Sequence, residues 1–183
     1  MSAWGTGPCD KSGTVRPHWP DATAVRSSVA FVPRLPRSLL PDGLFHVTAL
    51  GVDKTAIFRD DDDRLFLLAL LAKAVRGDAW TTHALCLMRT HYHLVVETTV
   101  EQLAAALHRV NGVYAQTFNQ RHDRTGHLFG DRYGARVIDD EVYLRAACEY
   151  VIDNPVRAGL CATAADWRWS WSRYGLSSAR GGG

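Results

Sequence analysis

The chain predicts an α+β sandwich: an antiparallel sheet with helices covering one of its faces. Short runs rich in β-branched residues, several alternating apolar and polar, occupy 45–51, 80–88, 91–97 and 132–138. Longer segments with apolar residues three and four apart lie at 60–77, at 100–120 and in the stretch ending near Asn154. The order is therefore β-α-β-β-α-β-α, and its two middle strands are close enough to form a hairpin.

The first strand, 45–51, alternates along its length. The helix that follows opens on Asp60, Asp61, Asp62 and Asp63. Four carboxylates at a helix start are explained by capping and by compensation of the helix dipole, without a metal cluster. Strands 80–88 and 91–97 form the hairpin, 100–120 is an amphipathic helix, and 132–138 is a further strand. Asp139 or Asp140 is available to cap the last helix, on which Tyr143, Ala146, Ala147, Tyr150 and Asn154 share a face. Pro155 disfavours helical geometry at Asn154, so that helix is expected to stop there. Trp167, Trp169 and Trp171 alternate at strand spacing and are expected to share one face in core packing.

At 183 residues the chain suits one domain with enough length to bury a core, expected at 41–176. Six of the seven prolines fall in the first 41 residues, with Lys11, Arg16, Arg26, Arg34 and Arg37 against Asp10 and Asp21. Residues 1–40 thus read as a disordered basic leader, and 177–183 as a frayed tail. The apolar run at 65–72 is too short to cross a membrane, and the first ten residues lack a signal pattern. Cys9, Cys86, Cys148 and Cys161 are scattered with no close pair, which fits a reducing cytoplasm and argues against a zinc ribbon or a disulfide framework. A net charge of +2 permits nucleic-acid binding without demanding it.

His91 and His93 head the third strand. Strand side chains alternate faces, so both imidazoles project from one face and Tyr92 from the other. Such a pair can grip a divalent metal and leave positions open for oxygen ligands. It also occurs in ordinary strands and in structural zinc sites. His46 and His83, on other strand segments, read as packing or loop residues. Tyr150 and Asn154, one helical turn apart, can address a single point with a phenol and an amide oxygen. The plainer alternative is a buried tyrosine and a capping asparagine.

These two patterns belong to a longer collinear series. Phe45-His46-Val47-Thr48 is followed by Ala56-Ile57-Phe58-Arg59 with Asp63-Arg64, then by Cys86-Leu87-Met88, His91-Tyr92-His93-Leu94 and Glu97-Thr98. Gly126-His127-Leu128-Phe129 with Arg132, Asn154-Pro155-Val156-Arg157-Ala158-Gly159-Leu160, and Trp169-Ser170 with Tyr174 complete it. Over 41–176 the series resembles the single-tyrosine His-hydrophobic-His transposases, the insertion-sequence-200-like family with its REP-associated branch. The resemblance implies a ferredoxin-like or RNA-recognition-motif-like fold. It implies His91, His93 and Asn154 as ligands of a divalent magnesium or manganese ion, and Tyr150 as the nucleophile. It further implies cutting and rejoining of single-stranded or hairpin DNA through a 5′-phosphotyrosine. The chain departs from the family at Leu50, where Arg is frequent, at Thr90, where Asn is frequent, and at Gly130-Asp131-Arg132-Tyr133-Gly134, where a Gln-Gly-Arg-Phe-Lys run is usual. The proposed metal ligands and nucleophile are untouched, while two basic positions are lost.

The segment 118–136 interleaves Arg121, Arg124, Arg132 and Arg136 with Phe118, Phe129 and Tyr133. Guanidinium groups for phosphates and rings for stacking suit a single strand or hairpin, and Arg157 joins the expected DNA-contacting set. Two other functions compete. A DNA nickase of relaxase or replication-initiator type shares the histidine pair without the 154–160 signature. A catalytically silent DNA-binding regulator or structural zinc protein is disfavoured by the intact Tyr150 and by the absence of Cys pairs. The family works as dimers or monomers. The compact turn after the Tyr150 helix favours a site completed within one chain.

Overall fold

The computed structural model describes residues 41–77 and 80–176, so the leader and tail expected from the sequence lie outside the described residues. Five strands, β1 (Gly43–Leu50), β2 (Thr81–Leu87), β3 (His91–Thr98), β4 (Gly134–Ile138) and β5 (Ser170–Ser172), form one antiparallel sheet in the order β4-β1-β3-β2-β5. Helices α1 (Asp61–Gly77) and α2 (Val100–Arg121) each carry the chain past one intervening strand position. The first four strands with these helices make the ferredoxin-like split β-α-β-β-α-β arrangement. Helix α3 (Glu141–Arg157) and β5 are added to it.

Alternation in β1 and β3 divides the sheet into two faces. Phe45, Val47, Ala49, Tyr92, Leu94 and Val96 join one buried apolar cluster with Leu67, Leu71 and Ala74 of α1 and Leu103, Leu107, Val110 and Tyr114 of α2. The spacing on both helices is that of a single apolar stripe, which is why they lie side by side on this face. Tyr92, the residue between the two histidines, is fully buried here and donates a 2.7 Å hydrogen bond to Asn111 Oδ1 on α2. Tyr92→Phe strips the amide oxygen of its donor while preserving shape. It should cost about 1–2 kcal/mol in urea unfolding and leave the histidine face intact.

The opposite face is covered by α3, whose buried stripe is Leu144, Ala147, Cys148, Val151, Ile152 and Pro155. That stripe is rotated from the one read in the sequence: Tyr150 and Asn154 are half-buried on its flank, and Tyr143 is 44% exposed. The helix also runs past the expected stop, through Pro155 to Arg157. Pro155 lacks the N–H that Val151 O would accept. The Asn154 side chain offsets that loss, its Nδ2 donating to Tyr150 O at 2.9 Å and Val151 O at 3.3 Å. Gly159, at φ +70°, then ends the helix, a backbone angle that favours glycine.

The acidic start of α1 is a cap. Asp63 N donates to Asp60 Oδ1 at 3.1 Å, and Asp60 N donates back to Asp63 Oδ2 at 3.4 Å. Asp140 caps α3 by accepting from Tyr143 N at 2.9 Å. The three tryptophans do not share a face, because the strand begins only at Ser170. Trp167 and Trp169 pack against the core, whereas Trp171 is 46% exposed. Cys86, Cys148 and Cys161 are free thiols, and no helix of the described residues is long and apolar enough to cross a membrane.

Candidate active site

The site lies between the sheet and α3. Register decides its membership: β1 pairs with β3 so that Thr48 faces His93 and His46 faces Val95, and β4 pairs with β1 so that Arg136 faces His46. His46, Thr48, His91, His93 and Arg136 therefore project from the same face of three adjacent strands.

His91 and His93 are brought together as the sequence implied, with ring centroids 4.9 Å apart and planes at 87°. His93 is buried, and His91 is half-buried with Nδ1 3.0 Å from Thr90 Oγ1. Two groups meet His93 at Nδ1: His46 Nε2 and Thr48 Oγ1, each at 3.1 Å. Its other nitrogen, Nε2, is buried and has no hydrogen-bond partner among the described residues. Burial pushes the His93 imidazole well below its ordinary pKa, and the neighbouring His46 and His91 push the same way. Burial likewise lowers His46 to about 4, with the Arg136 charge adding to the effect. Both shifts favour the neutral ring, the form in which imidazole binds a metal.

Tyr150 reaches the same place from α3. Its ring meets His46 edge-on at 6.0 Å and His93 at 6.3 Å, and the Arg157 guanidinium lies 4.7 Å from its centroid. Asn154 sits one turn further along α3. With its amide nitrogen spent on the helix backbone, the amide oxygen is the atom left to offer outward.

The expected DNA-contacting arginines divide into two groups. Arg132, Arg136 and Arg157 are exposed, and Arg124 is half-buried with a 3.1 Å bond to Asn119 Oδ1. Arg121 instead ties two helices together, its guanidinium donating to Asp60, Asp62 and Asp63 at 2.7, 3.0 and 2.6 Å. This holds the Asp60 carboxyl below its usual range. Asp60, Asp63 and His122 bring ligand atoms within 4.8 Å of one another, a spacing that could hold a cation, but the Arg121 guanidinium already donates to both carboxylates. The rings of the 118–136 segment are also displaced from the expected role. Phe118 and Tyr133 are buried and Phe129 packs on the same core, so they anchor the segment rather than offer stacking surfaces.

His46 is the site residue that the sequence does not reveal, since it reads there as a packing or loop histidine. Its signal is weak: in β1 it is one polar residue among alternating ones, and only the pairing register places it beside His93.

Residues 42–154 match the family described as transposase, IS200-like. No curated protein matches the chain. Among solved structures the chain is similar to a REP-associated tyrosine transposase bound to a REP hairpin, at 16% identity and TM-score 0.55 over 72% of this chain and 77% of that one. It is also similar to a putative transposase from Deinococcus radiodurans R1, at 16% identity and TM-score 0.43 over 65% of this chain and 95% of that one. The first likeness agrees with the ferredoxin-like arrangement of strands and helices described above. The family match covers well over half of the sequence and contains His91, His93, Tyr150 and Asn154, and on that basis the chain belongs to the IS200-like transposases.

Proposed function

We propose that this transposase cuts and rejoins single-stranded or hairpin DNA through a covalent 5′-phosphotyrosine on Tyr150, with a divalent ion held by His91, His93 and Asn154. One observation carries the reading: His91 and Tyr150 both pack against His93, at 4.9 and 6.3 Å between ring centroids, and the buried Nε2 of His93 has no partner among the described residues. An imidazole with an unpartnered buried nitrogen is suited to a metal; open positions for phosphate oxygen suit magnesium or manganese, and a second imidazole beside the first leans toward manganese or another transition ion. Bound there, such an ion supplies positive charge against the oxygens of the scissile phosphate.

The chain's own groups account for the remaining chemistry. A free tyrosine has a pKa near 10, so the Tyr150 phenol needs help to act as a nucleophile. Arg157, 4.7 Å from the ring, favours the phenolate electrostatically. Attack by the Tyr150 oxygen on phosphorus forms the phosphotyrosine and breaks the bond to the 3′-oxygen; the proton lost by the phenol is balanced by the one the 3′-oxygen takes up as it leaves as a hydroxyl. Because one phosphoester replaces another, the reverse attack by a 3′-hydroxyl rejoins DNA without ATP. Arg136, which projects from the histidine face, and Arg157, beside Tyr150, are the nearest positions for phosphate contacts, with Arg124 and Arg132 as further ones. The test is incubation with labelled single-stranded hairpin DNA and manganese, followed by a denaturing gel. A covalent protein–DNA adduct is expected, and its formation at full yield in EDTA would sink the metal mechanism.

Tyr150 lies against His46 and His93 of its own chain, which supports a site completed in cis. Mixing Tyr150→Phe protein with His91→Ala protein should therefore leave cleavage absent. Restored cleavage would mean that tyrosine and histidines come from different subunits.

A further inference from the structure

We infer that His46 is a positioning residue that locks His93 in the tautomer with the proton on Nδ1, so that Nε2 is presented as a lone pair toward the proposed metal position. The inference deepens the metal-dependent reading and concerns a residue which that reading does not use.

The geometry supports an in-plane hydrogen bond. The His46 and His93 planes differ by only 19° and their centroids lie 5.2 Å apart, close to the 3.1 Å N···N distance plus two ring radii. The rings thus lie side by side in nearly one plane, rather than face to face. In this arrangement the lone pair of one nitrogen points along the N–H of the other. Both rings are buried, so each proton placement has a consequence. A proton on His93 Nδ1 has His46 Nε2 as its acceptor. A proton on His93 Nε2 would be a buried N–H with no acceptor among the described residues. Thr48 Oγ1 is equally close to Nδ1, but a hydroxyl can donate as well as accept and therefore does not dictate the tautomer. The two rings are linked as a pair: with the His46 proton on Nδ1, its Nε2 accepts from His93 Nδ1–H, whereas a His46 Nε2–H donating to His93 Nδ1 would force the His93 proton onto Nε2, the buried atom with no acceptor among the described residues. Partners of this kind fix the orientation and basicity of metal-bound histidines elsewhere.

The test reads the tautomer directly in metal-free protein. Long-range proton–nitrogen NMR spectra of histidine-labelled protein should show His93 with a protonated Nδ1 and an unprotonated Nε2. In His46→Phe, which keeps an aromatic ring and removes the acceptor, that pattern should collapse or reverse. Manganese affinity, followed as free ion by electron paramagnetic resonance, should fall roughly 10–100-fold. His46→Gln, whose amide oxygen can stand where Nε2 stood, should retain both properties, and so should Thr48→Val. A wild-type His93 protonated on Nε2 would overturn the inference. So would an unchanged tautomer in His46→Phe, or a tautomer reversed by Thr48→Val alone. Should His46→Phe fail to fold, the wild-type spectrum with the Gln and Val variants still decides. If wild-type protein binds no manganese, the metal-dependent function fails, while the metal-free spectra judge His46 independently.

Discussion

Tyr150→Phe is expected to abolish the covalent DNA adduct, a loss of roughly 1000-fold or more, while hairpin binding persists. The phenol oxygen is the atom that would form the phosphoester, and phenylalanine keeps the ring against His46 and His93 without it. Binding should survive because the exposed arginines are untouched. Tyr143 is the control. It stands two turns earlier on α3, is 44% exposed, and its backbone N–H is engaged by the Asp140 cap. Tyr143→Phe should leave adduct formation near wild type. The assignment would be wrong if the two variants behaved the other way round on the same gel.

The second large effect concerns the histidines. His91→Ala and His93→Ala should each reduce manganese-dependent cleavage by on the order of 100-fold or more, because each removes a nitrogen from the proposed ligand set. They should differ in stability. His93 is buried and tied to His46 and Thr48, so its loss leaves a small void and takes a hydrogen-bond partner from each of them. Half-buried His91 should cost little. Melting temperatures recorded beside cleavage rates separate the two effects. A His91→Ala protein with wild-type melting and wild-type cleavage would remove His91 from the site.

Several features are legible in the sequence because their causes are local. Strand period two puts His91 and His93 on one face and turns Tyr92 toward the core, as found. The aspartates at 60–63 read as a helix cap, and the reciprocal bonds of Asp60 and Asp63 are that cap. The β-α-β-β-α-β-α order and the ferredoxin-like expectation likewise hold in the strand order β4-β1-β3-β2. The helix end departs from expectation for a reason just as local: Pro155 removes a donor, but the adjacent Asn154 amide supplies another, and a rule about proline alone does not see it.

What the sequence by itself determined is thus the β-α-β-β-α-β-α series of elements, the faces of the His91–His93 strand and the short patterns carrying the histidine pair and the Tyr150–Asn154 pair. The tertiary structure decided which of those faces meet. Residues 47 positions apart place His46 against His93, and residues about 60 apart draw the Arg121 guanidinium onto the aspartates at the start of α1. The rings at 118, 129 and 133 were drawn into the core in the same way. A strand's alternation is dictated by its own backbone, whereas register and side-chain partnership depend on which distant segments bury apolar area together.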